Sequence, residues 1–331
     1  MKIIRFTPLI YTIFLFLASC SDNFYSFSGY TWGTTYNISY RAGTNLDDSI
    51  TGAMLLIDSS LSMFNPCSTV ARINACTDMS ADAPLAEVLE LSRRVHRASG
   101  GAFDPTVGPL VELWGFGTNG EQAAPDSAAV AAALDRVGLE KCHLTDGRIV
   151  MDSDSMRLDF SAIAKGYGVD LVARTLQRNG CTDYMVEIGG EINARGLNRH
   201  GQPWRIQIDA PVADADGRIA HDRLMVVELR DAAMATSGNY RNYRDMPDGK
   251  RIGHTISAAT GYPVATSTLS VTVVAPECAL ADALATAAMA MPYPAARAMI
   301  DSLPDVEALF VIDSPDGMKS VTTDGFPAPA L

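Results

Sequence analysis

The chain has 331 residues, room for one large or two medium domains, and its 47% apolar and 19% charged content is that of a globular protein with a sizeable core. With 38 acidic against 26 basic residues the formal net charge is −12, which speaks against nucleic acid as a partner. Six cysteines at irregular spacing, with no Cys-x-x-Cys, argue against a zinc site and a disulfide framework, leaving room for an incidental Cys67 to Cys76 bridge.

Lys2 and Arg5 precede an apolar run from Pro8 to Ala18 that is short for a membrane span and ends in Leu17-Ala18-Ser19-Cys20. This resembles a bacterial lipoprotein signal. The resemblance implies removal of residues 1–19, lipidation of Cys20, a tether over 20–27, and a domain over 28–331 anchored to a bacterial membrane, facing the periplasm or the cell exterior. A short apolar run that merely happens to end in a cysteine is the alternative. Cleavage would remove two basic and no acidic residues, so 24 basic minus 38 acidic leaves −14.

Residues 24–40 alternate aromatic and small side chains, which predicts two strands meeting at Gly33. Asn45 to Phe64 is predicted as a helix with Ile50, Met54, Ile57, Leu61 and Phe64 on one side, stopping at Asn65-Pro66. A polar loop to Asn74 and an amphipathic helix over Pro84–Ala98 follow, the helix closed by Gly100-Gly101. The stretch GGAFDPTVGPLVELWGFG holds neither period and reads as a functional loop or ordered lid. An alanine-rich helix over 125–138 precedes strands at 148–151 and 156–160.

The second of these strands leads into LDFSAIAKGYGVD, residues 158–170. The reading has Asp159 at the strand end, Ser161 as helix cap, and a helix whose Ala162, Gly166, Val169, Ala173 and Leu176 share a face. Small residues at its start admit a close ligand or backbone, and its dipole and Lys165 suit phosphate. A tightly packed junction with a solvated lysine explains the same residues. Further strands are predicted at 184–188, 191–196, 204–209, 223–230, 232–236, 269–275 and 306–312, with helices at 278–291 and 293–302. The order predicts an α+β fold of mixed, mostly antiparallel sheets flanked by helices.

Asp282 and Thr286, four apart on a helix, offer one face of hard oxygen ligands for magnesium, or else a dipole-matched acid above a packed threonine. His254, in GHTISAATGYP, is placed either to take a proton from a hydroxyl beside a bound phosphate or to serve a structural role. Thr236, Ser237 and Gly238 end a strand in a form suited to ligand contact. Gly189-Gly190 lacks the G-x-G-x-x-G spacing and a following helix, and neither a phosphate loop nor a G-x-S-x-G elbow is present.

Taken in order, WGTTY, LSMFNPCSTVARIN, GGAFDPTVGPLVELWGFG, LDFSAIAKGYGVD, VEIGGEINARG, ATSGNYRNY, GHTISAATGYP and ADALAT resemble the ApbE-type FAD:protein FMN transferases, over roughly residues 28–312. The resemblance implies a T-fold-like architecture, as one domain or two tightly packed subdomains. It implies magnesium-dependent transfer of FMN from FAD to a threonine or serine of a partner, commonly a subunit of a membrane redox complex, with release of AMP. By position, Asp282, Thr286 and the main-chain oxygen of Ala162 would hold magnesium. Trp32, Phe64, Ala102, Phe103, Asp104, Asp159, Lys165 and Ile256 would contact FAD, and His254 would be the catalytic base. An FAD pyrophosphatase and a non-catalytic FAD-binding lipoprotein are the alternatives. The chain departs from the family at Ser257-Ala258, where aspartate-proline is usual, at Ala285, where some members carry a second aspartate, at Trp32, where many have methionine, and at Phe64, where tyrosine is common. The lost acid at 257 bears on the turn that holds His254.

Overall fold

The computed structural model describes residues 23–118, 120, 123–211, 222–238, 243–245 and 251–330. The signal segment and Cys20 lie outside them, as do residues 239–242 of ATSGNYRNY.

The chain begins with a hairpin, β1 (Asn23–Thr31) and β2 (Thr34–Ala42), closed by Trp32 and Gly33 at φ +47° and +76°. Two consecutive left-handed residues give the turn whose twist suits a two-residue hairpin. Helix α1 (Asp47–Leu61) buries Ile50, Met54, Ile57 and Leu61 as the spacing predicts, but it ends before Phe64, since Ser62 turns to extended backbone and leaves that ring exposed and off the buried face. The predicted loop to Asn74 instead contains a helix, α2 (Thr69–Asn74), capped by Ser68. Six residues are too few for a periodic signal. Helix α3 (Ala83–Ala98) starts from Asp82, which accepts the Leu85 N–H and ties down Ser60 and Thr69 as well.

The unassigned glycine-rich stretch folds into α4 (Gly108–Leu113), followed by α5 (Ser127–Leu134), shorter than predicted. The hairpin β3 (Cys142–Thr145) and β4 (Arg148–Met151) comes next. Residues 156–160 form no ladder strand; only Arg157 bridges, in parallel, to Val107. Their alternation reflects burial of Met156, Leu158 and Phe160 under another support: the Asn74 side chain bonds both the N–H and the carbonyl of Leu158, each at 2.8 Å. Helix α6 (Ala164–Arg178) begins three residues after Ser161, which does not cap it; the Ser161 N–H instead donates to Asp159 Oδ1 at 2.8 Å.

Then follow β5 (Tyr184–Ile188), β6 (Glu191–Arg195), β7 (Trp204–Asp209), β8 (Arg223–Leu229), β9 (Ala232–Gly238), β10 (Tyr243–Asp245), β11 (Arg251–Gly253) and β12 (Thr268–Ala275). Helices α7 (Cys278–Met289) and α8 (Tyr293–Asp301) precede β13 (Glu307–Ser314) and an unpredicted β14 (Gly317–Thr322). Eight strands make one wholly antiparallel sheet in the order β1-β2-β5-β6-β9-β12-β13-β14. The predicted α+β class holds.

Strand alternation sends Tyr184, Val186, Ala233, Ala235, Val271 and Val273 to one face, where α6 and α7 lie, with α1 and α3 outside them. Ile192, Met234, Val274 and Leu309 point to the other face, covered by the β7–β8 hairpin. A third apolar cluster joins α4 and α5 to Ile256. Cys67 and Cys76 are separate exposed thiols, so the bridge between them is not formed. Among the described residues no helix is long and apolar enough to cross a membrane.

Candidate active site

Where α6 and α7 cross, glycine sets the distance. A methyl on Gly166 would lie 2.5 Å from the Cys278 carbonyl oxygen and 2.8 Å from Asp282 Cβ, so only glycine lets the helices meet this closely. The Gly166 N–H donates to Asp282 Oδ2 at 3.0 Å. Gly166 is the third residue of α6, so its N–H has no acceptor within the helix, and Asp282 supplies one from α7. Ala162, four residues before Gly166, lies just ahead of the N-cap Ile163, at the turn where the family resemblance would place a metal ligand. Thr286, one turn beyond Asp282, lies 3.1 Å from the hydroxyl of Ser237 on β9. Ser237 faces the helices because it is two residues beyond Ala235 on the same strand face.

Asp282 is buried, which raises the pKa of its carboxyl well above the usual carboxylate range. The neighbouring Glu191 raises it further, while Lys165 and the Gly166 N–H act in the opposite sense. Lys165 Nζ donates to the buried Glu191 carboxylate at 2.7 Å, so in this state it serves the acids beside Asp282. Two buried carboxylates with one lysine between them favour a further cation. Among the described residues no three His, Cys, Asp or Glu side chains cluster as a metal site. The donor set here is of another kind: one carboxylate, one hydroxyl and, just ahead of α6, the Ala162 carbonyl, all hard oxygens that fit magnesium.

A cleft of about 400 Å³ opens beside this turn, lined by Met63, Phe64, Asn74, Gly108, Phe116, Asp159 and Ser161 among others. Phe64 is 78% exposed on its rim, an aromatic face left to water. The predicted Ala102-Phe103-Asp104 corner stands behind the cleft. Phe103 is buried in the core, and the Asp104 carboxylate is occupied by the Thr106 N–H and hydroxyl and by the Leu139 N–H. The residue that follows ties this corner to the cleft: Pro105 O accepts the Asp159 N–H at 2.7 Å, and Gly108 leaves room for Arg157.

His254 reaches this cleft through Phe116, their rings meeting edge to face at 6.4 Å between centroids. Its turn is firmly held despite the missing acid. Ser257 Oγ accepts the Thr260 N–H at 3.2 Å, Gly261 N–H bonds Ser257 O at 2.8 Å, and Trp114 Nε1 donates to Gly261 O at 2.7 Å. A serine hydroxyl here takes over the local bond that an aspartate side chain makes in such turns. Ile256 is buried and bridges to Pro263. Trp32, at the β1–β2 turn, lies over Gly168 of α6, which has no side chain to exclude the indole.

The structure therefore forms two groups joined by the 159–162 turn: Ala162, Lys165, Asp282 and Thr286 at the helix crossing, and Phe64, Asp159 and, through Phe116, His254 at the cleft. Sequence reasoning missed Asn74, which holds Leu158, and Asp170 and Glu191 at the crossing. Asp170 carried a visible signal, an acid inside an otherwise apolar helix stretch.

Fold and site together define an α+β protein with an aromatic-rimmed cleft beside a helix crossing that carries hard-oxygen donors. The chain belongs to the ApbE family, whose model matches residues 32–310. It is 37% identical over 312 residues to the FAD:protein FMN transferase of Vibrio cholerae, covering 90% of each chain, and 33% identical over 278 residues to that of Escherichia coli K12, covering 80% of this chain and 77% of the relative. Among solved structures, the flavin transferase ApbE from Vibrio cholerae superposes with a TM-score of 0.81 at 34% identity, covering 92% of this chain and 98% of that one. The apo flavinyl transferase ApbE of Pseudomonas stutzeri gives 0.80 at 32%, covering 92% and 96%.

Proposed function

We propose that this chain is an FAD:protein FMN transferase that moves FMN from FAD to a threonine or serine hydroxyl of a partner protein and releases AMP. The acceptor hydroxyl oxygen bonds to the FMN phosphorus, the bond from that phosphorus to the bridging oxygen breaks, and AMP leaves with that oxygen. His254 takes the hydroxyl proton, since a free threonine is a poor nucleophile. Phe64 covers the flavin ring, and Asp159, held by Ser161 and Pro105, fixes the ligand at the cleft floor. Lys165 contributes positive charge at the start of α6. Ala162 O, Asp282 and Thr286 would hold magnesium, which when bound supplies Lewis-acid neutralisation of the pyrophosphate charge.

The observation that best supports this reading is the bond across the helix crossing: the Gly166 N–H, four residues after Ala162, donates to Asp282 Oδ2 on α7, one turn from Thr286, so three oxygen donors come to one crossing. Family membership and the similarity to named transferases support the reaction class. The partner is a flavin-accepting protein, in this reading a subunit of a membrane redox complex. The enzyme meets it from a lipid anchor at Cys20, facing the periplasm or the cell exterior.

The experiment is direct. Purified protein incubated with FAD, magnesium and an acceptor protein should add one FMN mass to a single threonine or serine and release AMP. A competent acceptor that stays unmodified contradicts the proposal, and AMP with free FMN in the absence of acceptor would make the chain a pyrophosphatase.

A further inference from the structure

Helix α7 carries Asp282 and Thr286, yet the residue before it, Glu277, gives it no side-chain cap. The cap comes from another helix. Asp170 of α6 accepts the Cys278 N–H on Oδ1 at 2.9 Å and the Ala279 N–H on Oδ2 at 2.8 Å, and Asn193 on β6 donates to the same Oδ1 at 2.9 Å. Asp170 is buried, and that burial raises its pKa to about 6 against the pull of the two amides.

One turn earlier on α6, Gly166 touches the same helix, its N–H on Asp282 and its Cα face against Cys278 O. Two contacts on one helix, a turn apart, meet two points on the other. With the packing of α7 on β9 and β12, these two contacts register its height and rotation against α6. The other end of the donor set, Ala162, sits just ahead of the first turn of α6. The α6–α7 relationship is therefore the relationship between the metal ligands themselves.

We propose that Asp170 is a positioning residue of the metal site: by capping α7 from α6 it sets Asp282 and Thr286 against the Ala162 oxygen. This rests on the reading of those three residues as the magnesium site. A carboxylate is needed because two N–H groups must each find an acceptor. An asparagine keeps the shape, offers one acceptor oxygen, and turns its own N–H toward a backbone donor. Residues that orient metal ligands typically change metal affinity by about 10–100-fold when altered.

The test uses the full chain, D170N, and a matched control, D82N, which damages the cap of α3 away from the site. Manganese binding is titrated by electron paramagnetic resonance without FAD, magnesium half-saturation is measured in the transfer assay, and thermal midpoints are recorded. D170N should raise both metal constants roughly tenfold or more, while D82N loses comparable stability and keeps the wild-type constants. A metal-binding wild type whose constants D170N leaves unchanged overturns the proposal alone, as does a loss of metal in D82N equal to that in D170N. A wild type that binds no manganese and works equally in chelator overturns the metal reading and this proposal with it. Should D170N fail to fold, N193A removes only the third partner of the same carboxylate: a raised manganese constant supports the positioning role, and an unchanged one overturns it.

Discussion

The backbone N–H of Gly166 on α6 donates to Asp282 Oδ2 on α7 at 3.0 Å, so a donor that the start of a helix leaves unpaired joins two helices 116 residues apart in sequence. Gly166→Ala would put a methyl against backbone at Cys278 O, where no side chain can yield. Overpacking of this kind costs about 1–3 kcal/mol, so denaturant unfolding should show a loss in that range. Metal affinity should fall with it, because the same methyl pushes Asp282 away.

Asp282 gives the site a pH dependence with a definite sign. A carboxyl whose folded pKa is raised above 3.8 holds its proton more tightly folded than unfolded. Its contribution to stability is therefore present at low pH and lost as pH rises through the raised value, and the metal-free protein should lose stability over that window. In the proposed reading magnesium would bind the deprotonated form, so binding should strengthen across the same window and release a proton. Calorimetric titrations in buffers of different ionisation enthalpy measure that proton, and identical enthalpies in all buffers would contradict the assignment.

Phe64 is exposed, so its removal should leave the fold nearly untouched, within about 0.5 kcal/mol. An aromatic ring over a flat ligand contributes on the order of 0.5–1.5 kcal/mol beyond area burial. Phe64→Ala is expected to weaken FAD binding several-fold in a flavin fluorescence titration at an unchanged melting temperature.

Trp114→Phe keeps the ring and deletes the donor to Gly261 O. A buried acceptor left without its partner costs about 1–3 kcal/mol, and the loss falls on the turn that carries His254. The expected signature is a lower kcat with FAD affinity close to wild type, measured by steady-state transfer and by FAD titration.

Elements that bury one regular face were legible in the sequence: the β1–β2 hairpin with its glycine turn, α1, α3, β12 and α7. Those that failed did so for physical reasons. Helix α2 is too short to show a period, and β14 is exposed along most of its length, so it has no alternation to read. Residues 156–160 alternate as a strand does, but the amide of Asn74, 84 residues away, replaces a strand partner. In the site, the four-residue spacing of Asp282 and Thr286 was visible. The Ala162 carbonyl was not, because a main-chain oxygen leaves no mark in residue type and entered only through the family resemblance. Asp170 acts on amides 108 and 109 residues away, contacts that only the crossing of α6 and α7 creates. The altered Ser257 turn suggested a loosened His254, whereas the fold supplies Trp114 and the Ser257 hydroxyl to hold it.

The most direct measurement is anomalous diffraction from crystals of the protein grown with FAD and manganese in place of magnesium. The account predicts one strong peak at the α6–α7 crossing, within about 2.0–2.3 Å of Asp282, Thr286 Oγ1 and the Ala162 carbonyl oxygen, with the remaining positions facing the pyrophosphate. A peak bound by other residues, or none there with FAD in place, would contradict it.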